Sequence, residues 1–286
     1  SLHDALPIYG VIVEALRRAP VAALLSEEAE APHLLDAAAR LLVAVDPIDG
    51  SSNIDAGTTI GTIFSVLPAP GPIGAAADLA AAFLQPGTRQ LAAGFFIYGP
   101  FTALALTVGQ GTHIFTLDPA SGRLLLTAMD VQIPAETREF ALNVSNSRHW
   151  DVVVQTYLED CLRGTEGPRA KDFNMRWTAS PVADVFRILT RGGVFLYPGD
   201  RRDGYGKGRL RLIYEANPLA LIVEQAGGAA TSGTSRMLAI KPEEPHEHTP
   251  IILGSRDEVA YLVRLALSPH AMSERHPLFV RRGLFR

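Results

Sequence analysis

The sequence predicts a protein of the α/β or α+β class with layered sheets. Stretches with helical spacing alternate with short apolar runs typical of buried strands, in both halves of the 286 residues. Three alternating runs in the middle of the chain, separated by glycine-containing turns, predict an antiparallel meander. A chain of this length can bury a large core as one large or two medium domains.

The elements of the first half follow one another closely. A helix is predicted over residues 9–19 and ends at Pro20. The ambiguous stretch 34–40 has no assignment, 68–74 is predicted as a surface loop, and 88–98 as a helix. Strands are predicted for the apolar or alternating runs 21–25, 41–45, 58–67, 102–108, 112–117 and 123–127.

The pattern loosens at residues 131–139, and we place a domain boundary near Val131. The two domains would then be residues 1–130 and 131–286. The second half alternates again, with predicted helices at 148–162, 180–191, 215–226 and 256–267, and predicted strands at 194–197, 210–213 and 250–253. His246 and His248 lie in a segment rich in proline and glutamate that is predicted to be an exposed loop.

Composition excludes several classes of protein. With 26 basic and 30 acidic side chains the formal charge is −4, which argues against nucleic-acid binding by bulk positive charge. No apolar run approaches the roughly 18 residues that span a bilayer, so no membrane partner is expected. The single cysteine, Cys161, excludes an intrachain disulfide and fits a reducing, cytoplasmic compartment.

Acidic residues follow two of the predicted strands. Glu27 and Glu28 come after the strand at 21–25, and Asp46 and Asp49 after the strand at 41–45. Ligands collect at the carboxyl ends of strands in layered α/β proteins. Carboxylates gathered there would repel one another unless a cation lay between them, and oxygen ligands select Mg²⁺, Mn²⁺ or Ca²⁺.

The residues after Asp49 suggest an anion next to that metal. Gly50, Ser51, Ser52 and Asn53 offer a flexible glycine, successive backbone N–H groups and two hydroxyls. The alternative is a plain Asp-Pro turn in which serine and asparagine act as caps. The whole string, with an acidic pair upstream, favours a metal-bound phosphate.

The string from Asp46 to Asp55, Asp-Pro-Ile-Asp-Gly-Ser-Ser-Asn-Ile-Asp, resembles the signature of the class I fructose-1,6-bisphosphatases of bacterial type. These belong to the metal-dependent, lithium-sensitive sugar and inositol phosphatases. Other stretches resemble the same family in the same order: 85–87, 142–143, 176–177, 182–184, 193–198, 209–218, 224–228, 277–279 and 282–285. The resemblance implies a layered αβαβα fold, with two mixed sheets sandwiched by helices.

The resemblance also implies an activity: Mg²⁺-dependent hydrolysis of the 1-phosphate of fructose 1,6-bisphosphate, in gluconeogenesis or the Calvin cycle, by a homotetramer. Sedoheptulose 1,7-bisphosphate as an alternative or second substrate stays open, and an inositol phosphatase is less favoured. The chain does not resemble the family at Ser1–Ile8, and the resemblance implies that it lacks most of the family's N-terminal segment, which carries a further catalytic acid. We therefore expect an N-terminally truncated enzyme, and an inactive fragment that binds metal or sugar phosphate is a further alternative.

Residue roles follow from the resemblance. Glu27, Asp46, Asp49 and Glu215, with the Ile48 carbonyl, would hold about two or three Mg²⁺ ions, with Mn²⁺ as an alternative. Glu28 would help to deprotonate the attacking water, with Asp49 as the second catalytic acid. The residues expected to bind substrate are Asp49, Gly50, Ser51 and Ser52 near the 1-phosphate, and Asn143, Arg176, Tyr197 and Arg209 at the distal phosphate.

The sequence departs from the family pattern in the distal group. Arg209 stands where many members have lysine, and Asn146 and Trp177 stand where animal enzymes commonly have tyrosine. Positive charge suited to a second phosphate comes from Arg176, Lys207, Arg209 and Arg211. The resemblance implies that Arg176 reaches that phosphate from a neighbouring subunit.

Overall fold

The structure is a computed structural model that describes the backbone of residues 2–71 and 76–267 and the side chains of residues 7–71 and 79–267. The end of the predicted loop 68–74 and the family-like stretches 277–279 and 282–285 lie outside the described residues. No helix among the described residues is both long enough and apolar enough to cross a bilayer.

Eight strands of the first half form one mixed sheet. They are β1 (Val21–Ser26), β2 (His33–Leu34), β3 (Leu41–Asp49), β4 (Ile60–Pro68), β5 (Ala92–Tyr98), β6 (Thr102–Thr107), β7 (His113–Asp118) and β8 (Arg123–Ala128). Their spatial order is β2-β1-β3-β4-β5-β6-β7-β8. Among the strand pairs described in this sheet, only β1–β3 is parallel, and the strands from β3 to β8 form the antiparallel meander.

The second half forms a smaller mixed sheet and a short ribbon. The strands are β9 (Glu139–Ala141), β10 (Asn174–Met175), β11 (Val194–Tyr197), β12 (Leu210–Arg211), β13 (Ala229–Thr231), β14 (His248–Thr249) and β15 (Ile251–Gly254). The five-stranded sheet has the order β10-β9-β11-β15-β13, and β12 pairs with β14.

Helices complete the layers. They are α1 (Leu2–Leu16), α2 (Ala76–Ala82), α3 (Val152–Leu162), α4 (Pro181–Arg191), α5 (Asn217–Gln225) and α6 (Arg256–Leu267). Helices α4 and α5 contact strands of both large sheets, α1 contacts β1 and β3, and α6 contacts α3 and the second sheet. The apolar side chains of α3 and α6 share a core with β11. The layer order is αβαβα, and the predicted fold class is confirmed.

The predicted helix at 88–98 is wrong. Gly87–Arg89 forms a single 3₁₀ turn, and the remainder is β5, a central strand of the first sheet. The run Ala-Ala-Gly-Phe-Phe-Ile-Tyr is mostly buried: β4 and β6 flank it within the sheet, and helices α4 and α5 pack against it. A strand covered in this way has a nearly continuous apolar sequence, which periodicity alone cannot distinguish from a buried helix.

Smaller differences lie at element ends. Helix α3 begins later than predicted because Asp151 caps it by accepting a hydrogen bond from the Val154 amide. Residues Val144–His149 form a separate 3₁₀ turn. The predicted strand 210–213 ends at Arg211, where a π-helical turn, Leu212–Ala216, leads into α5.

Candidate metal and phosphate site

Asp46 and Asp49 lie at the end of β3, where the strand bulges. Asp46 is paired with Ile63 of β4 and Asp49 with Gly61, so β3 carries one residue more than its partner between these points. In a regular strand, residues three apart point to opposite faces. The bulge instead brings both carboxylates into one cluster. Within the bulge, the Ile48 amide donates a hydrogen bond of 3.0 Å to Asp46 Oδ1 and thereby orients that carboxylate.

A third carboxylate reaches the cluster from the second half. Glu215 lies in the π-helical turn before α5, and its Oε2 accepts a hydrogen bond of 2.6 Å from the Arg211 amide. Carboxylate oxygens of Asp46, Asp49 and Glu215 lie within 4.8 Å of one another. The three residues are 2%, 3% and 5% exposed, so water screens their charges poorly.

The electrostatics of this cluster are those of a cation site. Burial, followed by repulsion from neighbouring carboxylates, raises the pKa of Asp46 and of Glu215 well above the usual range. Burial also raises the pKa of Asp49 to about 7, although hydrogen bonds from Val182 and Ser180 oppose the shift. A divalent cation would remove the repulsion, and a set of carboxylate oxygens suits a hard ion. The residues present therefore fit a divalent metal.

Glu27 and Glu28 lie beside the cluster, directly after β1. Burial raises the pKa of Glu27, and the nearby Arg211 guanidinium, with Nε 3.6 Å from Glu27 Oε1, opposes that shift. Glu28 is half-buried and lines an open cleft together with Glu27 and Arg211.

Asp49 is also held by the second half. Its Oδ2 accepts hydrogen bonds from the Val182 amide at 3.0 Å and from the Ser180 hydroxyl at 3.3 Å, both at the start of α4. Gly50 follows with φ +76°, and a Cβ there would lie 3.1 Å from Ser180 Cβ, so both conformation and space favour glycine. Ser51 and Ser52 then form an exposed 3₁₀ turn with Asn53.

Three of the four predicted distal residues come together. Asn143, Tyr197 and Arg209 line one small pocket, which Asn146 and Trp177 also line. Arg176 is outside the lining of this pocket: its side chain is 50% exposed and its Nε lies 3.8 Å from Glu139 Oε1.

Sequence reasoning missed several residues around the acids. Arg211, expected near the second phosphate, lies instead against Glu27. His246, predicted in an exposed loop, is half-buried beside the Tyr214 ring, and burial lowers its pKa. Ser180 with the following proline has the residue types of a helix N-terminus, but no local signal indicates its contact with Asp49, 131 residues away.

Comparison with known proteins agrees with this geometry. Residues 8–129 match the family profile described as fructose-1-6-bisphosphatase, N-terminal domain, and residues 133–266 match its C-terminal domain. A class 1 fructose-1,6-bisphosphatase of Sinorhizobium medicae is 56% identical over 95% of this chain and 77% of the relative. That of Azorhizobium caulinodans is 57% identical over 88% of this chain and 76% of the relative.

A solved structure is similar as well. The crystal structure of Leishmania major fructose-1,6-bisphosphatase in holo form superposes with a TM-score of 0.86 at 34% identity, over 91% of this chain and 80% of that one. Both halves match family profiles, and the bulge that carries the acids lies within the matched region. The chain therefore belongs to the fructose-1,6-bisphosphatase family.

Proposed function

We propose that this protein hydrolyses the 1-phosphate of fructose 1,6-bisphosphate, releasing phosphate and fructose 6-phosphate, in gluconeogenesis or the Calvin cycle. The observation that carries the proposal is the buried trio Asp46, Asp49 and Glu215, which joins the end of β3 to the start of α5 in a member of this family. Hydrolysis of phosphate monoesters is extremely slow without a catalyst, and such a cluster can supply the electrostatic assistance it needs.

The proposed metal is Mg²⁺, with Mn²⁺ as the alternative, held by the trio together with Glu27 and the Ile48 carbonyl. When bound, about two or three such ions would polarise the attacking water and stabilise the leaving sugar oxygen. Glu28, in its open cleft beside Glu27, would accept a proton from that water.

The remaining site residues would bind and orient the substrate. Backbone N–H groups of Gly50, Ser51 and Ser52 would hold the phosphoryl oxygens in line, while the Asp49 carboxylate fixes the reacting end. Asn143, Tyr197 and Arg209 would bind the distal phosphate in their shared pocket. The exposed Arg176 would reach the pocket of a neighbouring subunit in a homotetramer.

Two further assignments belong to this proposal. The profile matches on either side of residues 130–132 support a domain boundary near Val131. The single cysteine, Cys161, is buried, which is compatible with a cytoplasmic enzyme.

The test of the activity is phosphate release with Mg²⁺ or Mn²⁺ from three substrates: fructose 1,6-bisphosphate, sedoheptulose 1,7-bisphosphate and inositol monophosphate. We expect the highest kcat/KM with fructose 1,6-bisphosphate. Faster turnover of the sedoheptulose compound would reassign the substrate. A folded sample that releases phosphate from none of the three would leave only a binding role.

A pair of variants tests the metal site. Asp49→Ala removes a buried carboxylate of the trio, and we expect kcat to fall by roughly two orders of magnitude or more. Asp55→Ala removes an exposed carboxylate six residues later in the same loop and should leave kcat within about twofold. Near-normal turnover by Asp49→Ala would refute the assignment.

A further inference from the structure

The turn that follows Tyr197 brings an additional arginine to the distal pocket. Arg202 and Tyr205 line it together with Asn143, Tyr197 and Arg209. Nothing in the family resemblance assigns a role to Arg202 or Tyr205. Asn146 and Trp177 stand in this pocket where animal enzymes commonly have tyrosine, so an arginine here would add the positive charge that neither of these neutral side chains carries.

Asp200 holds the Arg202 guanidinium in place. Arg202 Nε lies 3.0 and 3.1 Å from the two Asp200 oxygens, and Nη2 also contacts Oδ2. Two backbone hydrogen bonds close the turn: the Asp200 amide donates to the Tyr205 carbonyl at 3.0 Å, and the Tyr205 amide donates to the Arg202 carbonyl at 3.1 Å. These contacts with Asp200 use Nε and Nη2, so Nη1 keeps its donors for another acceptor.

The Tyr205 ring contacts both Arg202 and Arg209, the arginine already assigned to the distal phosphate. The guanidinium of Arg209 lies 4.0 Å from the centre of the Tyr205 ring, and that of Arg202 lies 4.9 Å from it. Two guanidinium groups therefore meet in one pocket, where Asp200 is the one carboxylate among the described lining residues. The excess positive charge and the planar N–H donors suit a phosphate dianion.

We propose that Arg202 is a further ligand of the distal phosphate, positioned by Asp200 and Tyr205, and that it increases the preference for a substrate with a second phosphate. This inference rests on the proposed function for the identity of that phosphate. Its test, however, measures binding as well as turnover, so the role of Arg202 and the proposed activity can be refuted separately.

Binding is measured with fructose 6-phosphate, which carries only the distal phosphate, and with fructose as control. Both tryptophans of the chain, Trp150 and Trp177, line this pocket, so intrinsic fluorescence reports on it directly. Arg202→Ala should raise the Kd of fructose 6-phosphate roughly tenfold to hundredfold, as expected for losing a charge-assisted hydrogen bond. Arg201→Ala removes an exposed cation of the same turn that lies outside the pocket lining, and it should leave this Kd unchanged.

A double variant distinguishes loss of a direct contact between Arg202 and the phosphate from repulsion of the phosphate by an unpaired Asp200. Arg202→Ala leaves Asp200 unpaired, which alone would repel phosphate, whereas Arg202→Ala combined with Asp200→Asn removes both charges. A Kd that stays raised in the double variant supports direct contact; a return to the wild-type value overturns the proposal. Circular dichroism and thermal melting establish that each variant is folded.

Turnover gives the second readout. The Arg202→Ala and double variants should raise KM for fructose 1,6-bisphosphate, with little change in kcat and little change for fructose 1-phosphate, which lacks the distal phosphate. Equal losses with both substrates would overturn the specificity role. Wild-type protein that binds fructose 6-phosphate but releases no phosphate would refute the activity and leave the binding assignment standing.

Discussion

Three carboxylates with raised pKa values make the stability of this protein depend on pH. Asp46, Asp49 and Glu215 bind protons more tightly in the folded state than in the unfolded chain, with the pKa of Asp49 rising from 3.8 to about 7. Their stabilising contribution is therefore complete below the unfolded values and is lost as the pH rises toward 7. A cation that binds the ionised carboxylates has the opposite pH dependence.

We expect the metal-free protein, prepared in EDTA, to melt at a lower temperature at pH 8 than at pH 5.5. Saturating Mg²⁺ should raise the melting temperature strongly at pH 8, by the equivalent of about 2.7 kcal/mol at a hundred times its Kd, and little at pH 5.5. Calorimetry over this range measures both. Asp49→Asn should flatten the dependence, whereas a Mg²⁺ effect equal at both pH values would contradict the role of these residues.

The sequence predicts a site residue when the residues that mark the site lie close to it along the chain, and fails when they are distant. Asp46 and Asp49 belong to one short string, and the structure places both in the cluster. Glu215 was reached only through the family resemblance, because an acid at the start of a helix is usually explained by the helix dipole. Ser180, which caps α4, could not be assigned from the sequence, since its partner Asp49 lies 131 residues away in β3.

At the scale of elements, β5 is an apolar run whose periodicity does not distinguish a strand from a helix. Its glycine, Gly94, explains how the strand packs against its neighbours. A Cβ on Gly94 would lie 2.4 Å from Phe64 Cζ and 3.0 Å from the Ala105 carbonyl oxygen. Glycine here allows the neighbouring strands to bring an aromatic ring across β5.

Gly94→Ala should therefore lower the free energy of unfolding by about 1–3 kcal/mol, because the added methyl group forces β4 or its ring to move. Gly71→Ala is the control, since a Cβ there meets no atom of the described residues within 4 Å. Urea titration of both variants makes the comparison. Equal midpoints for the two variants would show that the close packing against Phe64 has no energetic consequence.

A buried ion pair lies where helices α3 and α6 of the second half pack together. Arg169 makes two hydrogen bonds of 2.9 and 2.8 Å to Glu258 of α6, and the Tyr157 hydroxyl of α3 donates to the same carboxylate at 2.9 Å. The side chains of Arg169 and Glu258 are only 9% and 2% exposed.

Arg169→Met should destabilise the protein by about 3–5 kcal/mol, because it leaves the Glu258 charge buried with less compensation. Arg191→Met breaks a pair with Glu139 in which the arginine is 62% exposed, and we expect a loss of about 1 kcal/mol or less. Chemical denaturation at neutral pH tests the difference. Similar losses in both variants would argue against burial as the cause.

At the scale of the whole molecule, one core crosses the proposed domain boundary. Ile63 and Phe95 of the first sheet belong to the same buried cluster as Ile188 of α4, Leu221 of α5 and Leu253 of β15. The two halves therefore cannot separate without exposing the apolar surface that both bury.

We expect a single cooperative unfolding transition, with equal calorimetric and van't Hoff enthalpies. Scanning calorimetry of the metal-free protein provides the measurement. Two resolved transitions would show that residues 1–130 and 131–286 unfold independently, despite the shared cluster.

The fold class could be predicted because helical and strand-like periods alternate along the chain. The second sheet could not be ordered in this way, since Val194 of β11 pairs with Phe140 on one side and Gly254 on the other. Such pairings depend on distant backbone groups that leave no periodic trace in the short strands β9, β10 and β13.

The two-sided attachment of Asp49 has a consequence for assembly. The residue belongs to β3, but its Oδ2 is aimed by amide and hydroxyl groups at the start of α4. During biosynthesis, a chain whose halves have not yet docked presents an incomplete and misdirected ligand set. We therefore expect the proposed ion to bind tightly only after the two sheets have docked, so that metal binding would stabilise a correct assembly rather than a partly folded one.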